Sequence, residues 1–133
     1  MSKVLRTAIV DDDPIVVFGM KLMLKQLGLN LETHVWNNGQ DALEGLMDLV
    51  HKEEPLPDVL FLDLTMPVMD GWDFLEALKK APMPGKEDIK IYVLSSSINP
   101  VDKERALNKK QVADFISKPI KEERLKEILS LVS

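Results

Sequence analysis

Four groups of residues in this sequence carry side chains that could do chemistry together, and each follows a short apolar run. Asp11, Asp12 and Asp13 follow residues 4–10, and Asp63 follows residues 59–62. Ser95, Ser96 and Ser97 follow residues 89–94, and Lys118 comes just after residues 112–116. One acid or one serine where a strand leaves a core is ordinary; the full set is not a packing requirement. Carboxylates brought together repel, and burial worsens the conflict. A divalent cation relieves it, and Mg²⁺ is typically held by one or two carboxylates with waters and phosphate oxygens. A carboxylate can also act as a nucleophile and form an aspartyl-phosphate. A lysine offers a point positive charge and a serine hydroxyl a hydrogen bond to phosphoryl oxygens. Together the groups suit Mg²⁺-dependent phosphorylation of an aspartate.

The elements that must position them alternate along the chain. Residues 4–10 form a mostly apolar run that stops in acid, as a buried strand does. Asp13 can cap a helix with Pro14 in its first turn. Val16, Met20, Met23, Leu24 and Leu27 then recur at helical spacing, and Gly28 offers a stop. Residues 31–36 alternate apolar and polar, as a strand near a sheet edge would. A turn at Asn37-Asn38-Gly39 leads into Leu43, Leu46, Met47 and Val50, a second helical face. Residues 59–62 are continuously apolar up to Asp63. A loop through Met66-Pro67 and Asp70-Gly71 precedes a helix with Phe74, Leu75 and Leu78 on one side. A Pro/Gly loop, a strand at 89–94 and a short polar helix from about residue 100 to 108 follow. Residues 112–116 make a fifth strand, and Leu125, Ile128, Leu129 and Val132 give a last helix its apolar stripe. Five strands alternating with five helices predict an α/β protein, a parallel sheet covered on both faces. Right-handed crossovers then bring all strand C-termini to one edge, where ligands bind in such sheets.

Composition narrows the function classes. The chain has 133 residues, 45% hydrophobic and 29% charged, which suits one globular domain. Seventeen basic against 22 acidic residues leave a net charge of −5. Nucleic-acid binding runs on basic patches, so no nucleic-acid partner is expected. Without cysteine, disulfides, thiolate metal sites and cysteine nucleophiles are excluded. No signal peptide and no apolar run long enough to span a bilayer is visible, so a cytoplasmic protein without membrane insertion is expected.

Four segments, in order and at matching spacing, resemble the receiver domain of two-component response regulators, the chemotaxis-type receivers included. They are Val10-Asp11-Asp12-Asp13-Pro14, then Phe61-Leu62-Asp63-Leu64-Thr65-Met66-Pro67-Val68-Met69-Asp70-Gly71, then Val93-Leu94-Ser95-Ser96, then Phe115-Ile116-Ser117-Lys118-Pro119. The resemblance implies a flavodoxin-like (βα)5 doubly wound fold with strand order 2-1-3-4-5. It implies Asp63 as phosphoacceptor, with Asp12 and Asp63 touching Mg²⁺ directly, Asp11 acting largely through water and the Thr65 backbone carbonyl as a further ligand. Mn²⁺ is an alternative metal. Ser95 and Lys118 take the hydroxyl and lysine positions, the Lys118–Pro119 bond is expected cis, and Pro67 and Gly71 shape the acceptor loop. Ser95 and Phe115 would form the switch, the aromatic turning inward when the hydroxyl is drawn to the phosphoryl group. The implied partners are a histidine kinase or histidine phosphotransfer protein, and a downstream protein on the fourth helix, fifth strand and fifth helix. Residues 1–133 would be a single receiver without an output domain. It would be no conventional enzyme, catalysing only its own phosphorylation and dephosphorylation.

Several positions depart from the common pattern. Phe115 stands where chemotaxis-type members more often have Tyr, which removes a hydroxyl handle. Thr65 replaces a common Asn, and Ser97 is small and neutral; both lie where side chains order or block hydrolytic water, so autodephosphorylation should differ. Asp13 is read as a helix cap, not a metal ligand. His34 and His51 are read as ordinary strand and helix-end residues, and the methionines as core filling. Lys103, Arg105, Lys109 and Lys110 form a basic cluster that is a solvated face or a docking face. Trp36 and Trp72 are expected near the functional edge. A haloacid-dehalogenase-type phosphatase would need an acid where Thr65 stands, and a flavodoxin-like FMN carrier would need a phosphate cradle where three aspartates stand.

Overall fold

The computed structural model describes residues 4–96 and 99–132. Its elements are β1 (Leu5–Val10), α1 (Pro14–Gln26), β2 (Leu31–Trp36), α2 (Gly39–His51), β3 (Val59–Asp63), α3 (Gly71–Lys80), β4 (Lys90–Ser95), α4 (Pro100–Leu107), β5 (Val112–Ser117) and α5 (Glu122–Val132). A 3₁₀ turn, Lys86–Asp88, precedes β4. All neighbouring strands are parallel, in the order β2-β1-β3-β4-β5. The flavodoxin-like α/β fold is therefore present as expected. Among the described residues no helix is long and apolar enough to cross a membrane.

Strand alternation divides the core into two layers. Ala8, Val10, Leu60, Leu62, Ile91 and Val93 face Ala42, Leu46, Phe74, Leu75, Leu78 and Ala106 of α2, α3 and α4. Leu5, Ile9, Val59, Phe61, Tyr92, Leu94 and Ile116 face α1 and α5 through Met20, Leu24, Leu125, Ile128 and Leu129. Every residue of β3 is buried, which is why that strand reads as an unbroken apolar run. The helices start where capping chemistry puts them. Asp13, Asn38, Asp70 and Asn99 each accept a backbone N–H at the first turn of α1, α2, α3 and α4.

The structure refines the expected faces. In α1 Met20 and Leu24 are fully buried and Val16, Met23 and Leu27 pack beside them, the face the spacing predicts, while Ile15, Phe18 and Leu22 stay exposed. In α2, Ala42 and Leu49 join Leu46 in the core, with Leu43, Met47 and Val50 packed at its margin. Strand β4 runs one residue further than its apolar stretch, so Ser95 is its last residue.

Candidate functional site

Strands β1, β3 and β4 and the link after β5 deliver the chemistry to the carboxyl edge. Asp11 directly follows β1 and is 2% exposed. Its backbone N–H donates to the Trp36 carbonyl at 3.0 Å, tying it to the end of β2. Its Oδ1 accepts the Asp13 N–H at 2.9 Å, and its Oδ2 accepts the Lys118 ammonium at 2.8 Å. Asp12 points its carboxylate into the same place but remains exposed. Asp63, the last residue of β3, is buried, with its Oδ1 3.2 Å from Lys118 Nζ. One carboxylate oxygen from each of Asp11, Asp12 and Asp63 lies within 4.8 Å of the others. Asp13 stands apart from this group and caps α1 through the Ile15 N–H at 2.9 Å. Ser95 is buried, and its carbonyl accepts the Lys118 N–H at 2.9 Å, which anchors the lysine against β4. The Lys118–Pro119 peptide bond is cis.

Charge and burial are in conflict here, and one cation answers it. Burial pushes the Asp63 carboxyl above the usual carboxylate range, and the Asp11 charge pushes it further. Lys118 and the Thr65 N–H pull the other way without cancelling this. Burial works against the Lys118 charge too, but the Asp11 hydrogen bond and the Asp63 and Asp11 charges outweigh it. The ammonium is held above the ordinary lysine value. The donor set is all oxygen and strongly anionic, which suits a hard divalent cation such as Mg²⁺.

The loop from Leu64 to Asp70 is held close to the acids. Leu64 and Met66 are buried, and Val68 adopts φ 70°, costly for a β-branched residue. The Gly71 N–H donates to the Leu64 carbonyl at 3.0 Å. A Cβ on Gly71 would come within 2.6 Å of the Asp63 carbonyl oxygen and 2.8 Å of Leu64 Cα. Gly71→Ala must therefore displace the acceptor loop or α3. It is expected to destabilise the fold by about 1–3 kcal/mol, read as a lower urea midpoint. Gly19→Ala in α1 is the control, since nothing lies within 4 Å of its added Cβ. Gly39 does similar work: its N–H donates to the Met69 carbonyl at 2.9 Å, and a Cβ there would come within 2.8 Å of that oxygen. The sequence marks Gly39 only as a turn; the Asn-Asn-Gly signal carries no information about Met69.

Phe115 packs against the core layer that contains Ala106 of α4. It pairs in register with Val93, two residues before Ser95, so Phe115 and Ser95 share one face of the sheet. Thr65 is exposed, and Ser97 lies outside the described residues. In the basic cluster Lys103, Arg105 and Lys110 are exposed and Lys109 is half-buried. Arg105 stacks 4.0 Å from the ring centre of Trp72, and Lys109 lies 4.0 Å from the Glu76 carboxylate, so both turn toward α3. His34 stacks on Trp36 at 5.4 Å and pairs in register with Ala8, away from the acids.

The model of the family described as response regulator receiver domain matches residues 7–130. This chain belongs to that family. The receiver is 31% identical to the chemotaxis protein CheY of Listeria monocytogenes over 125 residues, 94% of this chain and 95% of that protein. It spans only 12% and 5% of the length of two larger curated relatives. Its fold superposes on a two-component response regulator from Cytophaga hutchinsonii with a TM-score of 0.86. Identity there is 24%, and 99% and 98% of the two chains are covered. A second similar fold is the receiver domain of a sensor histidine kinase from Pseudomonas aeruginosa, solved with a magnesium ion in its active-site cleft. Its TM-score is 0.77 at 22% identity, with 98% of each chain covered.

Proposed function

We propose that this receiver accepts a phosphoryl group on Asp63 from a histidine kinase or histidine phosphotransfer protein. The observation that carries the reading is the meeting of Asp11, Asp12 and Asp63 at the sheet's carboxyl edge, with the Lys118 ammonium against Asp11 and Asp63. Asp12 and Asp63, with the Thr65 carbonyl, would hold Mg²⁺ directly, and Asp11 would hold it through water. When bound, the ion neutralises the carboxylates and the phosphoryl oxygens they must approach; Mn²⁺ would serve the same sites. An Asp63 carboxylate oxygen attacks phosphorus in line. The new O–P bond forms as the P–N bond to the donor imidazole breaks, and the electron pair stays on that nitrogen. Lys118, fixed by Asp11 and by the Ser95 carbonyl, orients the Asp63 carboxylate and offers its remaining charge to a phosphoryl oxygen. The Ser95 hydroxyl donates to another phosphoryl oxygen. Drawing Ser95 inward opens room on the face it shares with Phe115, which turns in beneath α4 and changes the α4–β5–α5 surface read by a downstream protein. Hydrolysis of the aspartyl-phosphate by the same groups resets the switch.

Incubation with Mg²⁺ and acetyl phosphate tests this directly. Intact-mass spectrometry should show one added phosphoryl group, and beryllofluoride should change tryptophan fluorescence. Trp36 is bonded through its carbonyl to Asp11, and Trp72 stands in the first turn of α3, next to Gly71. Unchanged mass and unchanged fluorescence together would refute the reading.

A further inference from the structure

The sheet's opposite edge holds a second charged pocket that the phosphoacceptor chemistry does not use. A cavity of about 230 Å³ lies beside the start of β4 and β5, walled by Lys79, Lys86, Lys90, Lys110 and Gln111, with Leu78 and Ile89 as its apolar floor. Glu87 is the one carboxylate among its lining residues, so the lining carries three net positive charges on a chain of net charge −5. That local excess stands against the field of the whole molecule.

Two of the polar walls are already fixed. Lys86 Nζ donates to the Leu78, Lys79 and Ala81 carbonyls at 2.9, 2.8 and 2.6 Å, which uses all three of its hydrogens and closes the C-terminal end of α3. Gln111 Nε2 donates to the Leu75 carbonyl at 2.8 Å. By contrast, among the described residues the ammonium groups of Lys79, Lys90 and Lys110 have no hydrogen-bond or ion-pair partner. The third wall is a backbone irregularity. Ile91 pairs with Val112 but Tyr92 pairs with Asp114, so Ala113 is an extra residue in edge strand β5, and it lines the same cavity. Such bulges interrupt a ladder and re-aim what flanks them.

We infer that this pocket is a binding site for a small phosphorylated metabolite, held by a diphosphate or longer phosphate chain. Three unpaired ammonium groups around one concavity match a compact polyanion better than a monoanion, and a fixed Lys86 adds charge without needing to move. The site lies at the strand N-termini and Asp63 at the C-termini, so the two are occupied independently.

The test uses inorganic pyrophosphate and the full chain in metal-stripped buffer at about 0.15 M salt, where exposed charges more than ~8 Å apart are screened. Isothermal titration should show saturable one-site binding. Backbone amide shifts should concentrate at Lys79, Lys90 and residues 110–113. The double variant Lys90→Gln/Lys110→Gln should weaken binding roughly tenfold or more, about 1.4 kcal/mol. Lys21→Gln/Lys25→Gln, which removes the same charge from α1, should leave it unchanged. Equal weakening by both double variants would reduce the effect to net charge and overturn the site. So would no saturation below about 10 mM, weaker than ~3 kcal/mol of binding. Amide shifts confined to Asp11, Asp12 and Asp63 would also overturn it.

Discussion

Asp63→Asn is expected to abolish covalent phosphorylation and, in metal-free buffer, to make the fold more stable than the wild type. Both effects come from one carboxylate. An amide has no anionic oxygen to attack phosphorus, so incubation with Mg²⁺ and acetyl phosphate should leave the variant's intact mass unchanged. The stability gain follows from where that oxygen sits. Asp63 is 7% exposed, and burial together with the Asp11 charge pushes its carboxyl above the usual range. An acid whose pKa is raised by folding destabilises the folded state at neutral pH, where it must ionise. Removing the charge removes that cost. It leaves no orphan, because Lys118 keeps its 2.8 Å contact with Asp11. A gain of about 1 kcal/mol, or roughly 4 °C in the thermal midpoint, is expected in EDTA. Excess Mg²⁺ should narrow the gap, because the wild type binds the ion better and is stabilised by that binding. A variant that still gains a phosphoryl group, or that melts below the wild type in EDTA, would show that Asp63 is not the strained acceptor.

The same tension explains why so much of the site is legible in the sequence. A buried parallel strand is a run such as Val59-Leu60-Phe61-Leu62, and the residue that ends it must leave the core. Parallel topology puts every such ending on one edge. Reading the residues after four apolar runs therefore amounts to reading one site, and Asp11, Asp63, Ser95 and Lys118 do meet there. The cap of α1 is legible for a similar reason, since Asp13 before Pro14 is a local signal read from two neighbours.

What depended on distant contacts was not legible. The approach of Gly39 to Met69 joins segments 30 residues apart, and no local rule encodes it. The stacking of the exposed Arg105 guanidinium on Trp72 ties part of the basic cluster to α3, a contact between residues far apart in the chain. The bulge at Ala113 is likewise invisible, since alternation in β5 is already weak.

Lys118→Ala should separate two roles that one ammonium performs. It lies 2.8 Å from Asp11 and 3.2 Å from Asp63, and its side chain is only 15% exposed. Deleting it leaves two buried carboxylates facing each other, a loss of about 2–5 kcal/mol for an uncompensated charge pair. That loss should appear as a marked drop in the thermal midpoint in EDTA. Mg²⁺ should restore most of it, because the same unrelieved repulsion strengthens cation binding at Asp11, Asp12 and Asp63. Phosphorylation should not be restored. With Mg²⁺ saturating, the single-turnover rate from acetyl phosphate should fall by roughly 10²–10³, the scale of losing one preorganised charge aimed at the transferring group. Lys118→Arg keeps the charge but changes its shape, so it should recover stability more fully than rate. A Lys118→Ala protein with lowered Mg²⁺ affinity would mean the lysine helps to build the metal site. One with wild-type rate would mean that Asp63 is oriented without it. Neither result is compatible with a cation that bridges the acids and offsets their repulsion until the metal and the phosphoryl group arrive.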